Sequence, residues 1–532
     1  MNNNISQINN FVTDLVNDTP KNDKELSKSN RRFSKYNHCS LFKKDELISA
    51  YKNLSDNGLI EKNKQLEKVL RLKQIRSLSG IVVVSVLTKP YDCPGKCIYC
   101  PQEKNVPKSY LSDEPAVMRA ITCNYDPFKQ VSLRLKALKN IGHDTSKINI
   151  RIIGGTWSFY PKQYQTWFIK ECFRACNKFS EPNKIKPAEN TFTFLQQVNE
   201  SSNHRIVEIS TETRQDYINK KELLRLRKLG VTKVELGIQS IYDDVLKFNK
   251  RGHGTEIAIN AIRQLKNAGF KVSYQIMLNL PGSNIHRDLS MIKEIFRDEN
   301  YKPDYLKIYP LALVKEAPVY KLYKQGRFRP YSEDELKTLI KEAKTHVPYY
   351  CRIERVIRDI PSQYIVEGGS KISNLRQIIT KELKEEGRSC RCIRCREIGV
   401  NFNISDKLVL FNEKYISSGS EEYFLSIESS DRKYLYSLLR LRLSNNAIFK
   451  FLKKTALVRE IHTYGDQLAV SSINQSSAQH KGLGKKLLNE AEKIAESQGY
   501  EKIAIIAGVG ARNYFRKYGY ELIDTYMVKK LQ

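Results

Sequence analysis

From Gly80 onward the apolar positions fall into short runs at 81–87, 148–153, 205–210, 231–238, 271–279 and 304–309. Each run has strand length, and longer segments with helical spacing separate them. Three of those segments end alike, in LKNIG at Gly142, LRKLG at Gly230 and LKNAG at Gly269. Glycine there supplies a left-handed helix cap, and the basic residue before it suits the negative helix end. Strand–helix units repeated in this way predict an α/β domain, a parallel sheet with helices outside that forms a partial or complete barrel. Functional residues of such a barrel gather where strands end and loops begin.

Past residue 400 the pattern changes. Strand-like runs at 407–411, 421–428, 434–443 and 455–464 follow one another across short turns. A helix at 482–497, a strand at 502–507, a short helix at 511–517 and a last strand at 520–529 complete an α+β domain. Toward the other end, helical spacing marks Leu47, Ile48, Tyr51 and Leu54, then Leu66, Val69 and Leu70. Residues 1–30 are polar, rich in Asn and Lys, and read as a disordered tail. The expected order is that tail, a basic helical lobe (31–78), the barrel (79–360), a cysteine-rich linker (361–400) and the α+β domain (401–532). A chain of 532 residues needs several cores.

Charge adds a partner. The chain carries 90 Lys and Arg against 58 Asp and Glu, a formal charge of +32. Coding bias toward Lys is one source of such an excess, but the depletion of acids favours polyanion binding. Lys21 to Arg76 holds 15 basic and 7 acidic residues, either a grip on a phosphate backbone or a solvated helix face. The N-terminal MNNNISQINN has no signal-peptide pattern, and the most apolar run, Gly80 to Thr88, falls far short of the roughly 20 residues of a membrane helix. A soluble cytoplasmic protein without a membrane partner is expected, with the nucleus a further location for a eukaryotic source.

Of 11 cysteines, an odd count that favours metal ligation or burial over disulfides, three stand in KPYDCPGKCIYCP. Cys93, Cys97 and Cys100 follow the first strand, and three thiolates on one tight loop suit three irons of a four-iron four-sulfur cube. The open fourth iron would chelate S-adenosylmethionine. Zinc knuckles usually supply four ligands as two close pairs, and no second pair is present in this loop. The spacing resembles the radical S-adenosylmethionine superfamily. Gly154, Gly155 and Thr156 end the second strand, Glu212 and Arg214 the third, Gln239 and Ser240 the fourth, which makes them candidates for cofactor contact.

Cys390, Cys392 and Cys395 stand among arginines in GRSCRCIRCREIG and point to a structural metal, zinc by preference, with Cys351 a candidate fourth ligand. Unligated thiols are the alternative there, and Cys172 and Cys176, one helical turn apart, read as core. Gln479, His480, Lys481, Gly482, Leu483 and Gly484 open the 482–497 helix, and glycines at a helix N-terminus free N–H groups for a pyrophosphate. With the segment GVGARNYFRKYGYEL, that turn resembles the acetyl-coenzyme A site of GNAT acetyltransferases, where Tyr514 would serve as an acid.

Taken together, CIYCP, EPAVMRAI, GGTW, ELGIQS, RGH at Arg251 to His253, CRCIRCREIG, VREIHTYG, QHKGLG and GVGARNYFRKYGY closely resemble the catalytic subunit of the Elongator complex and its stand-alone bacterial and archaeal relatives. The resemblance implies a radical S-adenosylmethionine barrel followed by a GNAT domain. It implies a 4Fe-4S cluster and S-adenosylmethionine as cofactors and acetyl-coenzyme A as substrate. A 5′-deoxyadenosyl radical would take hydrogen from the acetyl methyl group, whose carbon joins carbon 5 of the wobble uridine of tRNA; thioester hydrolysis then leaves a carboxymethyl group. Partners implied are tRNA, an external electron donor and, for eukaryotic members, other Elongator subunits. Three stretches depart from the family pattern: CPQE for CPGG, Gln215 in TRQD for TRPD, and Phe515 after Tyr514 for a tyrosine pair. Two rival functions are a lysine acetyltransferase with Glu460 as general base and an RNA-binding scaffold with degenerate sites.

Overall fold

A computed structural model of the chain describes residues 2–72, 80–179, 191–399, 407–465 and 482–532. Its first sheet has seven parallel strands in sequential order: β1 (Val82–Leu87), β2 (Lys147–Ile153), β3 (Arg205–Thr213), β4 (Lys233–Gln239), β5 (Lys271–Ile276), β6 (Tyr305–Ile308) and β7 (Arg352–Arg355). β1 and β7 are its free edges, so the barrel is partial. Side chains alternate along each strand. Val82, Val84 and Val86, Ile148, Ile150 and Ile152, and their counterparts on later strands pack outward in the core under the helices. The inward face is charged. Lys307 and Arg151 pair with Glu235, Lys233 with Glu354, and Lys271 with Glu208.

That inversion explains why β7 is absent from the predicted runs. Its sequence, RIER, offers a single apolar residue, Ile353, to the helices and turns Arg352 and Glu354 toward the interior. The helix caps are built as expected. Gly142, Gly230 and Gly269 all have positive φ, and the residue after each donates back five positions, as His143 N does to Leu138 O (3.0 Å).

The second sheet runs in the order β13-β14-β12-β11-β10-β9-β8. It comprises β8 (Leu408–Ser417), β9 (Ser420–Ser429), β10 (Leu435–Leu443), β11 (Thr455–Thr463), β12 (Lys502–Ile505), β13 (Glu521–Ile523) and β14 (Tyr526–Lys530). Only β11 and β12 are parallel neighbours. The last strand predicted, 520–529, is a hairpin: Asp524 takes a left-handed conformation and folds β13 back on β14.

A dry ionic seam joins the two sheets. Arg459 binds Asp304 of the barrel (Nη1 to Oδ1, 2.9 Å) and Glu422 of β9 (Nη1 to Oε2, 2.8 Å), and all three side chains are fully buried. The 508–510 turn lies flat on β3, where a Cβ on Gly508 would stand 2.0 Å from Val207 O.

The N-terminal tail needs correcting. Residues read as disordered form helices Asn2–Asn17 and Asp23–Tyr36, which pack on helices Lys44–Asp56 and Lys64–Leu70. Phe11, Val12, Leu15 and Leu26 are buried there, and Phe11 meets Phe33 and Phe42 with ring centroids 4.8 and 5.8 Å apart. Few apolar residues suffice because they recur at helical spacing and share one small core. Among the described residues no helix is long and apolar enough to cross a membrane.

Candidate active site

Beyond β1 the chain enters the loop that carries Cys93, Cys97 and Cys100. Ile98 N donates to Asn249 O (3.2 Å), Val319 N to Ile98 O (2.9 Å), and Lys108 Nζ to Gly95 O (2.5 Å), which pins the loop from three sides. Cys97 is buried, and the other two are half-buried. A hydrogen bond from Cys100, helped by the Arg251 guanidinium, holds the Cys97 thiol at about 4 against the opposing effect of burial. That same bond, with burial, pushes Cys100 well up, so Cys97 is the thiolate of the pair. Arg251 Nη1 lies 3.8 Å from Cys97 Sγ, while its Nη2 donates to Gln215 Oε1 (2.9 Å) and Gly237 O (2.7 Å).

The strand ends converge on this loop. Thr156 Oγ1 lies 3.8 Å from Cys93 Sγ. Gly154 and Gly155 both have positive φ; a Cβ on Gly154 would meet Thr88 Oγ1 at 2.2 Å, whereas nothing lies within 4 Å of one on Gly155. Arg214 pairs with Asp216 through Nε and Nη2 (2.9 and 2.8 Å), and a Cβ on Gly95 would stand 2.5 Å from its Nη1. Gln239 has φ +66° and reaches toward Gly237. Arg214 Nη1, Gln239 Oε1 and Arg251 Nε are buried without hydrogen-bond partners. Buried polar atoms are normally paired, so such a group marks the place of a polar ligand. The sulfurs of Cys93, Cys97 and Cys100 do not all come within 4.8 Å of one another. Three thiols on one loop beside buried unpartnered donors suit a three-thiolate iron–sulfur cube.

Glu212 is already partnered within the barrel. It accepts from Arg151 Nη2 (2.7 Å) and Tyr110 OH (2.9 Å) and lines an interior cavity of about 260 Å³. A second cavity, about 470 Å³, shares Val83, Ser85, Arg134, Arg151 and Arg355 with it and extends to Glu460, His462 and Tyr464 of the C-terminal domain. The interior is therefore a chain of polar compartments bounded by both halves of the molecule.

Glu460 is not built as a base. Burial would raise its carboxyl, but the Arg440 and Lys271 charges and the Tyr305 hydroxyl hold it at about 2. Arg440 Nε donates to it at 2.8 Å. A base that takes a proton from an amine at neutral pH needs a far higher value.

In the C-terminal domain β11 pairs with β12 only as far as Val458↔Ile505, and β11 continues to Thr463. Gly482, with φ +68°, caps helix Leu483–Ser497, and Lys486 N donates to its carbonyl (3.0 Å). A Cβ on Gly484 would stand 2.7 Å from Tyr514 OH and 3.7 Å from Thr463 Oγ1, so the helix start, β11 and Tyr514 meet at one point. Burial and the neighbouring Tyr518 push the Tyr514 phenol up. Phe515 is buried in the core, and Tyr518 is the second phenol beside Tyr514, with ring centroids 5.2 Å apart. Gln479, His480 and Lys481 lie outside the described residues.

The other triad is compact. The sulfurs of Cys390, Cys392 and Cys395 all lie within 4.8 Å of one another, and among the described residues no further His, Cys, Asp or Glu joins them. Burial opposes ionisation of Cys392, but hydrogen bonds from Cys390 and Cys395 and the charges of Arg376 and Lys344 hold it well down. Cys351, one candidate for a fourth ligand, is buried in the barrel core outside that group, and its carbonyl accepts from Ile393 N (3.0 Å).

Spacing along the sequence marked the cysteines and the strand-end residues. It did not mark Arg251, 154 positions from the thiolate it touches, nor Gln215, the departure that turns out to hold Arg251.

Known proteins agree with this geometry. The radical SAM superfamily matches residues 88–295, its C-terminal domain residues 303–385, and the GNAT acetyltransferase family residues 440–520. A protein named tRNA uridine(34) acetyltransferase from Methanocaldococcus infernus is 42% identical over 486 residues, covering 88% of this chain and 89% of that protein. Human Elongator complex protein 3 is 37% identical over 491 residues, covering 88% and 87%. The solved structure of archaeal Methanocaldococcus infernus Elp3 with an N-terminal deletion (1-46) superposes with a TM-score of 0.74 at 38% identity, covering 85% of this chain and all of that one. The chain belongs to the family of the tRNA uridine(34) acetyltransferases and Elongator complex protein 3, radical SAM proteins that end in a GNAT domain.

Proposed function

We propose that the chain modifies the wobble uridine of cytoplasmic tRNA, adding a carboxymethyl group to carbon 5 with S-adenosylmethionine and acetyl-coenzyme A. The observation that carries this reading is a three-thiol loop at the barrel mouth and a GNAT helix start on one chain, whose two halves together line one interior cavity. Cys93, Cys97 and Cys100 would hold a 4Fe-4S cluster, which would supply the one-electron chemistry needed to make a hydrogen-abstracting carbon radical from S-adenosylmethionine.

The chain's own residues do the rest. The hydrogen bond from Cys100, with the Arg251 guanidinium beside it, holds the Cys97 thiol down and so favours the thiolate that ligation needs. Gly154, Gly155 and Thr156 present strand-end backbone and a hydroxyl, and Arg214 and Gln239 present the buried atoms that have no protein partner. Glu212 positions Arg151 and Tyr110 in the interior. Gly482, Leu483 and Gly484, completed by Gln479, His480 and Lys481, offer backbone N–H groups to the pyrophosphate of coenzyme A. Tyr514 keeps its proton on Oη at neutral pH and is able to give it up to a leaving thiolate. Cys390, Cys392 and Cys395 hold a structural metal ion, zinc by their donor set. The +32 charge attracts the tRNA backbone. Relatives named for the Elongator complex make partner subunits a further expectation.

Anaerobically reconstituted, reduced protein should convert uridine 34 to its carboxymethyl form when given both cofactors and tRNA, read by mass spectrometry of the nucleosides. Unmodified uridine beside intact S-adenosylmethionine would overturn the reading. Acetylated peptides with unmodified tRNA would favour the lysine acetyltransferase instead.

A further inference from the structure

The cluster loop has a second face, directed away from the interior. A shallow concavity of about 620 Å³ is lined by Pro94, Gly95 and Lys96 on one side and by residues around Lys247 and Lys250 to Gly254 on the other. It shares no lining residue with the two interior cavities, so a partner seated on it would leave them open. Lys96, Lys247 and Lys250 are exposed, and none forms an ion pair among the described residues. The two acids of the adjoining helix Asp243–Phe248 are occupied: Asp243 Oδ1 accepts from Thr255 N (2.8 Å), and Asp244 binds Arg287 (2.7 Å). Pro94 gives the concavity an apolar wall, and Phe248, 45% exposed, follows Lys247 just outside its lining.

The path inward is short. Lys96 directly precedes Cys97, and Lys250 directly precedes Arg251, whose Nη1 lies 3.8 Å from Cys97 Sγ. Ile98 N and Asn249 O bond the two walls together beneath the concavity (3.2 Å). Positive charge around an apolar centre selects an acidic protein surface and speeds its encounter. We infer that this face docks the electron donor, an acidic one-electron carrier protein whose redox group lies behind a ring of carboxylates. The inference rests on the iron–sulfur reading of Cys93, Cys97 and Cys100. In the transfer the donor is oxidised by one electron and the cluster reduced by one; no bond forms or breaks, and no proton moves.

The test uses the full chain and a flavodoxin as probe. Carbodiimide should join flavodoxin carboxylates to Lys96, Lys247 or Lys250 of the metal-free protein, and the triple variant K96E/K247E/K250E should lose those cross-links. In reconstituted enzyme, the same variant should show flavodoxin-driven cleavage of S-adenosylmethionine slowed about tenfold or more at low salt, with dithionite-driven cleavage and tRNA affinity unchanged. The milder K96Q/K247Q/K250Q variant should fall between. Wild-type cross-links at other lysines only, or an unslowed flavodoxin-driven rate in the variant, would overturn the inference. A parallel loss of tRNA affinity would also overturn it, since the lysines would then serve RNA. Failure of the wild type to cleave S-adenosylmethionine with dithionite would overturn the iron–sulfur reading instead, and the cross-links would still decide where flavodoxin docks.

Discussion

The sulfurs of Cys390, Cys392 and Cys395 crowd within 4.8 Å of one another, whereas those of Cys93, Cys97 and Cys100 are spread along a loop at the barrel mouth. Their surroundings differ in the same sense. The compact triad is tied into its surroundings, although Cys395 itself is exposed: Lys344 Nζ sits 3.8 Å from Cys395 Sγ, Ile393 N is bound to Cys351 O, and Ile398 N reaches Leu435 O of the second sheet (2.9 Å). Around the spread triad stand glycines at the neighbouring strand end and buried donors that lack partners. The compact donor set joins the linker to both halves, and the set at the barrel mouth lies beside buried polar atoms without partners. Both are written as three cysteines in a short segment, and packing tells them apart.

Substitutions should separate the two most sharply. Cys97→Ala is expected to abolish tRNA modification while tRNA affinity and melting temperature stay near wild type, read by nucleoside mass spectrometry, filter binding and calorimetry. Cys392→Ala should do the reverse. It should release the metal, lower the melting temperature by several degrees, and reduce product only as far as the folded fraction falls.

Glu460 lies between these extremes, at the edge of the interior cavity. Removing its charge by Glu460→Gln leaves Arg440 short of a buried partner and should cost about 3 kcal/mol or more in urea unfolding. Product per folded molecule should persist, because Glu460 is not a base. Its folded carboxyl, at about 2, lies below the ordinary 4.5. The stability that it contributes is therefore complete above about pH 4.5 and lost as pH falls toward 2, so wild type and variant should converge in stability across that window. The smallest expected effect belongs to Lys344→Met. Removing the buried ammonium beside Cys395 should weaken metal retention about tenfold, read by chelator competition, with the cluster triad untouched.

Much of this architecture is legible in the sequence because it is local. Runs of Val and Ile mark the strands of the barrel, and LKNIG, LRKLG and LKNAG mark three helix ends through the same capping geometry. What escapes is decided over distance. β7 hides because its inward residues answer to Lys233 and Lys307 across the barrel rather than to a hydrophobic core. The β13–β14 hairpin hides because one left-handed residue, Asp524, splits an apolar run. The first two helices hide because their apolar residues are few and find a core only against Leu47, Leu66 and their neighbours. At the site, the cysteines and Gly154 to Thr156 announce themselves, but the contact of Arg251 with Cys97 exists only once β4 and the cluster loop are folded side by side. The partners of Glu212 escape for the same reason: a strand-end carboxylate is visible in the sequence, and only the fold brings Arg151 and Tyr110 to it.

The most direct test of the central claim follows the hydrogen. Reduced, reconstituted protein is given tRNA, S-adenosylmethionine and acetyl-coenzyme A deuterated in the acetyl methyl group. The 5′-deoxyadenosine formed is then examined by mass spectrometry alongside uridine 34. Deuterium in the 5′-deoxyadenosine, matched by a partly deuterated carboxymethyl group on uridine 34, is the predicted result. Modified uridine whose formation leaves the 5′-deoxyadenosine free of deuterium would contradict it.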